Sequence, residues 1–192
     1  ATGSNTMTFK HFFIVLGLAG FAAMGYAIEE PAYDTTQQID NVELRDYAAS
    51  IQARTTMASD DSSSSSFRRL ANYIFGGNTQ EQSIAMTAPV ETHTTADGYM
   101  AFTLPSQYAM AQLPSPNDQS VSLHAVPARR LAVIEFGGWA TKGRVEEKSR
   151  ELLAVLEANN IQPVGEPFLN QYNPPWTLPW NRRNEVAVPV SL

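Results

Sequence analysis

Apolar and polar positions change period several times along the chain, and each change marks an element. Val42-Glu43-Leu44-Arg45-Asp46-Tyr47 alternates with period two, as a half-buried strand does, and residues 50–57 continue it. From Phe67 the period lengthens. Phe67, Leu70, Ala71 and Ile74 stand at i, i+3, i+4 and i+7, one face of a helix over 66–75. Asp60, Asp61 and the serine run 62–66 precede it and read as a loop closing on the helix N-cap, with acids near the positive end of the dipole. Gly76-Gly77 ends the helix. Residues 83–92 and 99–104 read as strands joined by a hairpin through Ala96-Asp97-Gly98. Pro105, Pro114 and Pro116 mark 105–119 as a loop. Residues 121–126 and 131–136 are two further strands.

A second helix follows Gly137-Gly138, over 142–159, with Val145, Leu152, Leu153 and Leu156 at helical spacing and Glu146 four residues before Arg150. Then come a strand at 168–172, a proline-rich loop at 173–180 and a last strand at 185–190 with Val186, Val188 and Val190 on one side. Residues 28–41 are polar with scattered aromatics, a lead-in or an edge strand. Two halves emerge, each ordered strand, helix, strand, strand. No sequence identity between them is visible, so the repeat is architectural. Hairpins imply antiparallel pairing. The expected fold is α+β: a curved, distorted antiparallel β-barrel with two helices packed on it, built from two βαββ units.

Length and charge narrow the class. The 192 residues suffice for one domain with a sizeable core. Hydrophobic residues make up 43% and charged residues 17%, which excludes a wholly disordered chain. Thirteen Lys and Arg against nineteen Asp and Glu leave a net charge of -6, the wrong sign for a general nucleic-acid binder. Cysteine is absent, so disulfides and thiolate chemistry are excluded. Lys10 and His11 precede an uncharged apolar run over 12–27 with small residues at Gly25 and Ala27. This reads as a secretory signal cleaved after Ala27, and the protein as exported and periplasmic. The alternative is an uncleaved membrane anchor, although the run is short of the roughly 20 residues of a full span. Residues 1–6, before Met7, read as an alternative start or a cloning scar. The expected domain is 28–192.

No nucleophile elbow, phosphate loop or dinucleotide fingerprint is present, and no catalytic residue is assigned. Of the three His, His11 lies in the leader. His93 and His124 share no metal-ligand spacing, and either is a candidate only as a lone axial haem ligand. Arg182-Arg183-Asn184-Glu185 reads as a brace joining loop to sheet, with anion binding as the other reading. The loop from Tyr172 to Trp180 combines prolines and aromatics into rigid flat apolar surface, suited to a planar ligand or to a lid. The stripe Phe67, Leu70, Ala71, Ile74 reads first as core. Flanked by Arg68 and Arg69 it also describes a groove with a cationic rim.

Five motifs in order resemble the SOUL / haem-binding protein family: the segment 67–78, Ile84-Ala85-Met86-Thr87-Ala88-Pro89-Val90, Phe102-Thr103-Leu104-Pro105, Phe136-Gly137-Gly138-Trp139, and Tyr172-Asn173-Pro174-Pro175 followed by Arg182-Arg183-Asn184-Glu185-Val186. The resemblance spans about residues 33–192. It implies the same distorted barrel of duplicated βαββ units. It also implies non-enzymatic binding of haem or a related tetrapyrrole (porphyrin) in a hydrophobic groove beside the first helix. Carried onto this sequence, the site is Phe67, Arg68, Leu70, Ala71 and Ile74 opposed by Tyr172, Pro174 and Trp176. The family's basic partners for the propionates fall where this chain has its serine run and Thr177, leaving Arg68 or Arg69 for that role. Two rival functions stand beside this one: an enzyme modifying tetrapyrroles, and an interaction or sensor module holding another amphipathic ligand.

Overall fold

The computed structural model describes residues 28–57, 63–95 and 97–191. The leader or anchor read over 1–27 lies outside the described residues. The chain runs β1 (Tyr33–Ile39), β2 (Val42–Tyr47), β3 (Ser50–Thr56), α1 (Ser63–Ile74), β4 (Val90–His93), β5 (Tyr99–Thr103), β6 (Val121–Val126), β7 (Arg129–Phe136), α2 (Lys142–Ala158), β8 (Phe168–Gln171) and β9 (Asn184–Val190). All nine described strands form one sheet in the order β1-β2-β7-β9-β8-β4-β5-β3-β6, and every neighbouring pair is antiparallel.

The duplicated unit is visible in this order. The run β3-α1-β4-β5 lies in the sheet as β3-β5-β4, and β7-α2-β8-β9 lies as β7-β9-β8. The units meet where β4 pairs β8. Their leading strands are exchanged: β2, which precedes the first unit, pairs β7 of the second, and β6, which precedes the second, pairs β3 of the first. This exchange dictates closure. β2 and β3 stand near opposite ends of the sheet, yet only Ala48-Ala49 joins them, and Pro127-Ala128 likewise joins β6 to β7. Connections that short force the sheet to curl until its ends approach. The α+β distorted barrel expected from the sequence is the architecture observed.

Strand alternation then sorts side chains onto two faces. The outer face is apolar and covered by the helices. Leu152 and Leu156 of α2 pack on Leu44, Ala132, Ile134, Val186 and Val188, with Val145 and Val155 beside them. Leu70, Tyr73 and Ile74 of α1 pack on Ala53, Met100, Phe102 and Val121. Thr141 caps α2, its hydroxyl accepting from the Arg144 N–H at 3.4 Å. Gly77 ends α1: its N–H donates to the Asn72 carbonyl at 2.8 Å, and a Cβ there would stand 2.6 Å from that oxygen.

Two sequence expectations are corrected. The serines at 63–66 form the first turn of α1 instead of a loop, because Ser66 is buried and its hydroxyl accepts from Arg69 at 3.1 Å. The strand expected over 83–92 is a ladder only over Val90–His93. Ser83 and Thr87 make isolated bridges, to Phe75 and Glu29, and the Ala88–Pro89 peptide is cis. Pro89 has no N–H to give a ladder, so regular pairing starts after it.

The inner face is mixed: Leu131, Val133, Phe168 and Ala187 form a small buried apolar cluster there, and charged and polar groups gather beside it. Arg129 of β7 reaches Glu91 of β4 at 2.8 Å although β9 and β8 separate them in the sheet, which only inward curling permits. Glu91 is 4% exposed and also accepts from Gln52 at 3.2 Å and contacts His93 Nε2 at 2.8 Å. The His93 ring is stacked between Tyr99 and Phe168, centroids 4.1 and 4.5 Å away. Burial pushes the Glu91 carboxyl up, but the His93 hydrogen bond and the Arg129 charge outweigh it and hold the value at about 2.

Two measurements check the two faces. Leu156→Ala empties a fully buried site and lowers the unfolding free energy in denaturant by about 2–5 kcal/mol, whereas Trp176→Ala, on an exposed loop, leaves it within about 0.5 kcal/mol. The Glu91 value is depressed on folding, so its stabilisation is complete above its ordinary value of 4.5 and disappears as pH falls toward about 2. In acid titrations followed by circular dichroism, Glu91→Gln flattens that slope, by on the order of 3 kcal/mol across the window.

Candidate functional site

A cleft of about 880 Å³ opens at the barrel end where the two short crossing connections meet. Ala48 and Ala49 of one connection and Pro127 of the other line it. Ile51, Leu104 and Val126 give it apolar walls, and Tyr108 closes one side, its hydroxyl accepting from Gln82 at 3.3 Å. The lead-in segment 29–32 forms the remaining wall. That segment is held at three points. Ala88 N–H donates to the Glu29 carbonyl at 2.9 Å, Ser106 N–H donates to Glu29 Oε1 at 2.9 Å, and Arg183 donates to Glu30 Oε2 at 3.0 Å. Both carboxylates at the mouth therefore have partners.

Behind the cleft, and sharing Pro31, Ala48, Ser50 and Thr103 with it, lies a small chamber of about 30 Å³. Tyr47, Glu91, Arg129, Leu131, Asn170 and Tyr172, with Pro89, complete its lining. Tyr172 donates to Glu185 Oε2 at 2.7 Å, and Glu185 also accepts from Arg45 at 2.9 Å and Arg183 at 2.8 Å. Burial and the neighbouring Glu185 charge drive the Tyr172 phenol well above its ordinary value, so it remains a donor. Burial pulls Arg183 down, but its bonds to Glu185 more than reverse this. Glu185 and Glu91 each meet three donors, an arrangement that stores charge and leaves neither carboxylate free as a base. Asn170, 4% exposed, is different: its Oδ1 has no hydrogen-bond partner.

The residues singled out from the sequence are distributed over several places. Leu70 and Ile74 lie within the core under α1, Phe67 is half-buried edge-on to Phe102 at 5.2 Å, Ala71 is half-buried, and Arg68 is exposed. Arg69 donates to Thr55 and to the Thr56 carbonyl. Tyr172 lines the inner chamber, Pro174 is half-buried and Trp176 is 82% exposed. The loop that carries them is tied to the α2 side of the molecule: Arg182 donates to the Thr177 and Pro175 carbonyls and stacks on Trp139 at 4.0 Å. Asn184 donates to the Phe136 and Gly138 carbonyls. The Arg-Arg-Asn-Glu segment is thus the brace its composition suggested. Neither His93 nor His124 lines the cleft; His124 contacts the Ser122 hydroxyl at 2.8 Å, and burial, then Arg54, lowers its pKa. Among the described residues no group of three or more His, Cys, Asp or Glu is arranged to hold a metal, and no helix is long and apolar enough to cross a membrane.

Sequence reasoning missed Arg129, Asn170, Glu91 and the cleft walls. One signal was available. Glu43/Arg45, Glu91/His93 and Glu185 place charge at period two inside otherwise apolar strands, which marks a polar interior face.

The family model described as SOUL heme-binding protein matches residues 28–189. Heme-binding protein 2 of Homo sapiens is 26% identical over 180 residues, covering 85% of this chain and 87% of that protein. Heme-binding protein 1 of Sus scrofa is 25% identical over 126 residues, 62% of this chain and 66% of that protein, so the match spans just under two thirds of that relative. Among solved structures, the C-terminal domain of EcmrR superposes with a TM-score of 0.58 at 14% identity, covering 83% of this chain and 98% of that one. A hydrolase from Listeria innocua superposes with 0.58 at 10% identity, covering 81% and 94%. At those identities the likeness is one of fold. On the match over 28–189, the chain belongs to the SOUL heme-binding protein family.

Proposed function

We propose that the chain binds haem or a related tetrapyrrole without transforming it, and that the macrocycle lies in the cleft beneath the lead-in segment. The observation that carries this is the cleft itself. Its 880 Å³ stands within the range of ligand sites, and its walls are mostly apolar. Each 100 Å² of macrocycle covered contributes about 2.5 kcal/mol before the cost of association. Micromolar affinity, about 8 kcal/mol, is then reachable from contact area without an iron ligand. The relatives named as heme-binding proteins support the ligand class. A non-catalytic role is supported by the occupied state of Glu91 and Glu185 and of the mouth carboxylates.

The second reading is the groove beside α1 to which the family resemblance pointed. Phe67 and Ala71 are partly accessible there and Arg68 is exposed, while Leu70 and Ile74 have no surface to give a ligand. In either site the apolar run over 12–27 supports an exported, periplasmic protein, membrane-held if that run is retained.

Haem titration tests both readings. The Soret band is expected to shift and saturate, with a Kd on the order of micromolar. Ala48→Trp, an exposed turn position facing the cleft, weakens binding by about tenfold or more with little change in melting temperature, while Phe67→Ala leaves affinity within about twofold. No Soret change and no fluorescence quenching at tens of micromolar would sink the proposal. Loss on Phe67→Ala with retention on Ala48→Trp would move the ligand to α1.

A further inference from the structure

We infer that the small inner chamber is a carboxylate subsite: Arg129 and Asn170 receive one acidic side chain of a tetrapyrrole whose ring fills the cleft. The inference rests on the cleft reading and specifies which end of the ligand enters first.

Three observations converge on it. Arg129 is the cation lining the chamber, and the cleft itself is lined by none. Its Nη2 is committed to Glu91 at 2.8 Å, and the rest of the guanidinium has no protein acceptor among the described residues, leaving donors of the five an Arg carries. Glu91 does not need them, because Gln52 and His93 also serve it.

The second observation is Asn170. The residue is 4% exposed, lines the chamber, and has an amide oxygen with no partner. It stands in register between Glu185 on β9 and Glu91 on β4, both fully served by other donors. A buried, unpaired amide costs stability, and an apolar residue of the same shape would not. Turned about its Cβ–Cγ axis, the same amide presents an N–H to an incoming oxygen.

The third is size. A volume of about 30 Å³ admits about two water-sized groups, the two oxygens of a carboxylate, and nothing as broad as a ring. The chamber shares Pro31, Ala48, Ser50 and Thr103 with the cleft, so in this reading a flexible acid chain enters it past those residues while the ring stays outside. The chain thereby offers an Arg from β7 where the family's expected basic positions hold serines and Thr177.

The probes are protoporphyrin IX, with two free carboxyl groups, and its dimethyl ester, titrated into the wild type, Asn170→Leu and Arg129→Lys. The wild type is expected to prefer the free acid by about tenfold or more, the scale of a charged hydrogen bond. Asn170→Leu brings the preference near one while its melting temperature holds or rises. Arg129→Lys keeps a charge beside Glu91 but loses the planar fork, and lowers the preference several-fold. Equal wild-type affinities for acid and ester overturn the subsite and leave tetrapyrrole binding standing. An unchanged preference with lost stability in Asn170→Leu makes Asn170 structural and overturns the subsite. Failure of both porphyrins to bind the wild type overturns the subsite and the functional reading together.

Discussion

Glu185 has no exposure to solvent, and the inner face is arranged around that fact. A carboxylate taken out of water is tolerable only when its oxygens are fully served. Here Arg45 comes from β2, Arg183 from just before β9, and Tyr172 from just past β8. Arg45 is in turn held by Glu43 at 2.7 Å and lies 4.3 Å over the Tyr33 ring, which brings edge strand β1 into the same arrangement. Arg183 extends to Glu30 and so fixes one wall of the cleft. The position of the lead-in segment is therefore linked to a buried charge across the barrel. Removing any of the three donors leaves part of that charge unmet, which is why this network constrains geometry more than it adds stability.

The second constraint is covalent. Exchanging the leading strands of the two units places β2 beside β7 and β6 beside β3. Both connections then span the barrel mouth with two residues each. A gap remains between them because small residues, Ala48 and Ala49, occupy one crossing and Pro127 the other. The cleft is thus a consequence of how a duplicated unit closes on itself. The chamber that shares Ala48 and Ser50 with it is lined by Asn170 and Arg129 of the inner face.

How much of this could be read in the sequence follows from the range of the interactions. Both helices, the paired βαββ units and the Arg182–Glu185 brace were legible, since each rests on periodicity or on neighbours a few residues apart. The Val90–His93 boundary was less so. Apolar residues at 84–90 mimic a strand, and only the chain path around Pro89 shows that the ladder starts late. The cleft was not legible. Its walls come from 29–32, 48–51, 103–106 and 125–127, segments that only the exchanged sheet order brings together. Ala48-Ala49 reads as an ordinary turn in sequence, and Arg129 as an ordinary strand-end cation. The Phe67, Leu70, Ala71, Ile74 stripe shows the opposite difficulty. Its spacing was legible, but spacing alone does not say whether a stripe faces a core or a ligand, and Leu70 and Ile74 face the core.

A division of labour between the faces makes a ligand site compatible with a stable barrel. Most of the buried apolar area lies under α1 and α2 on the outer face, and the inner face adds the small cluster of Leu131, Val133, Phe168 and Ala187. Beside that cluster the inner face carries an unpaired Asn170 and a partly committed Arg129. Buried polar groups left incomplete by the fold are groups whose completion can come from outside the chain.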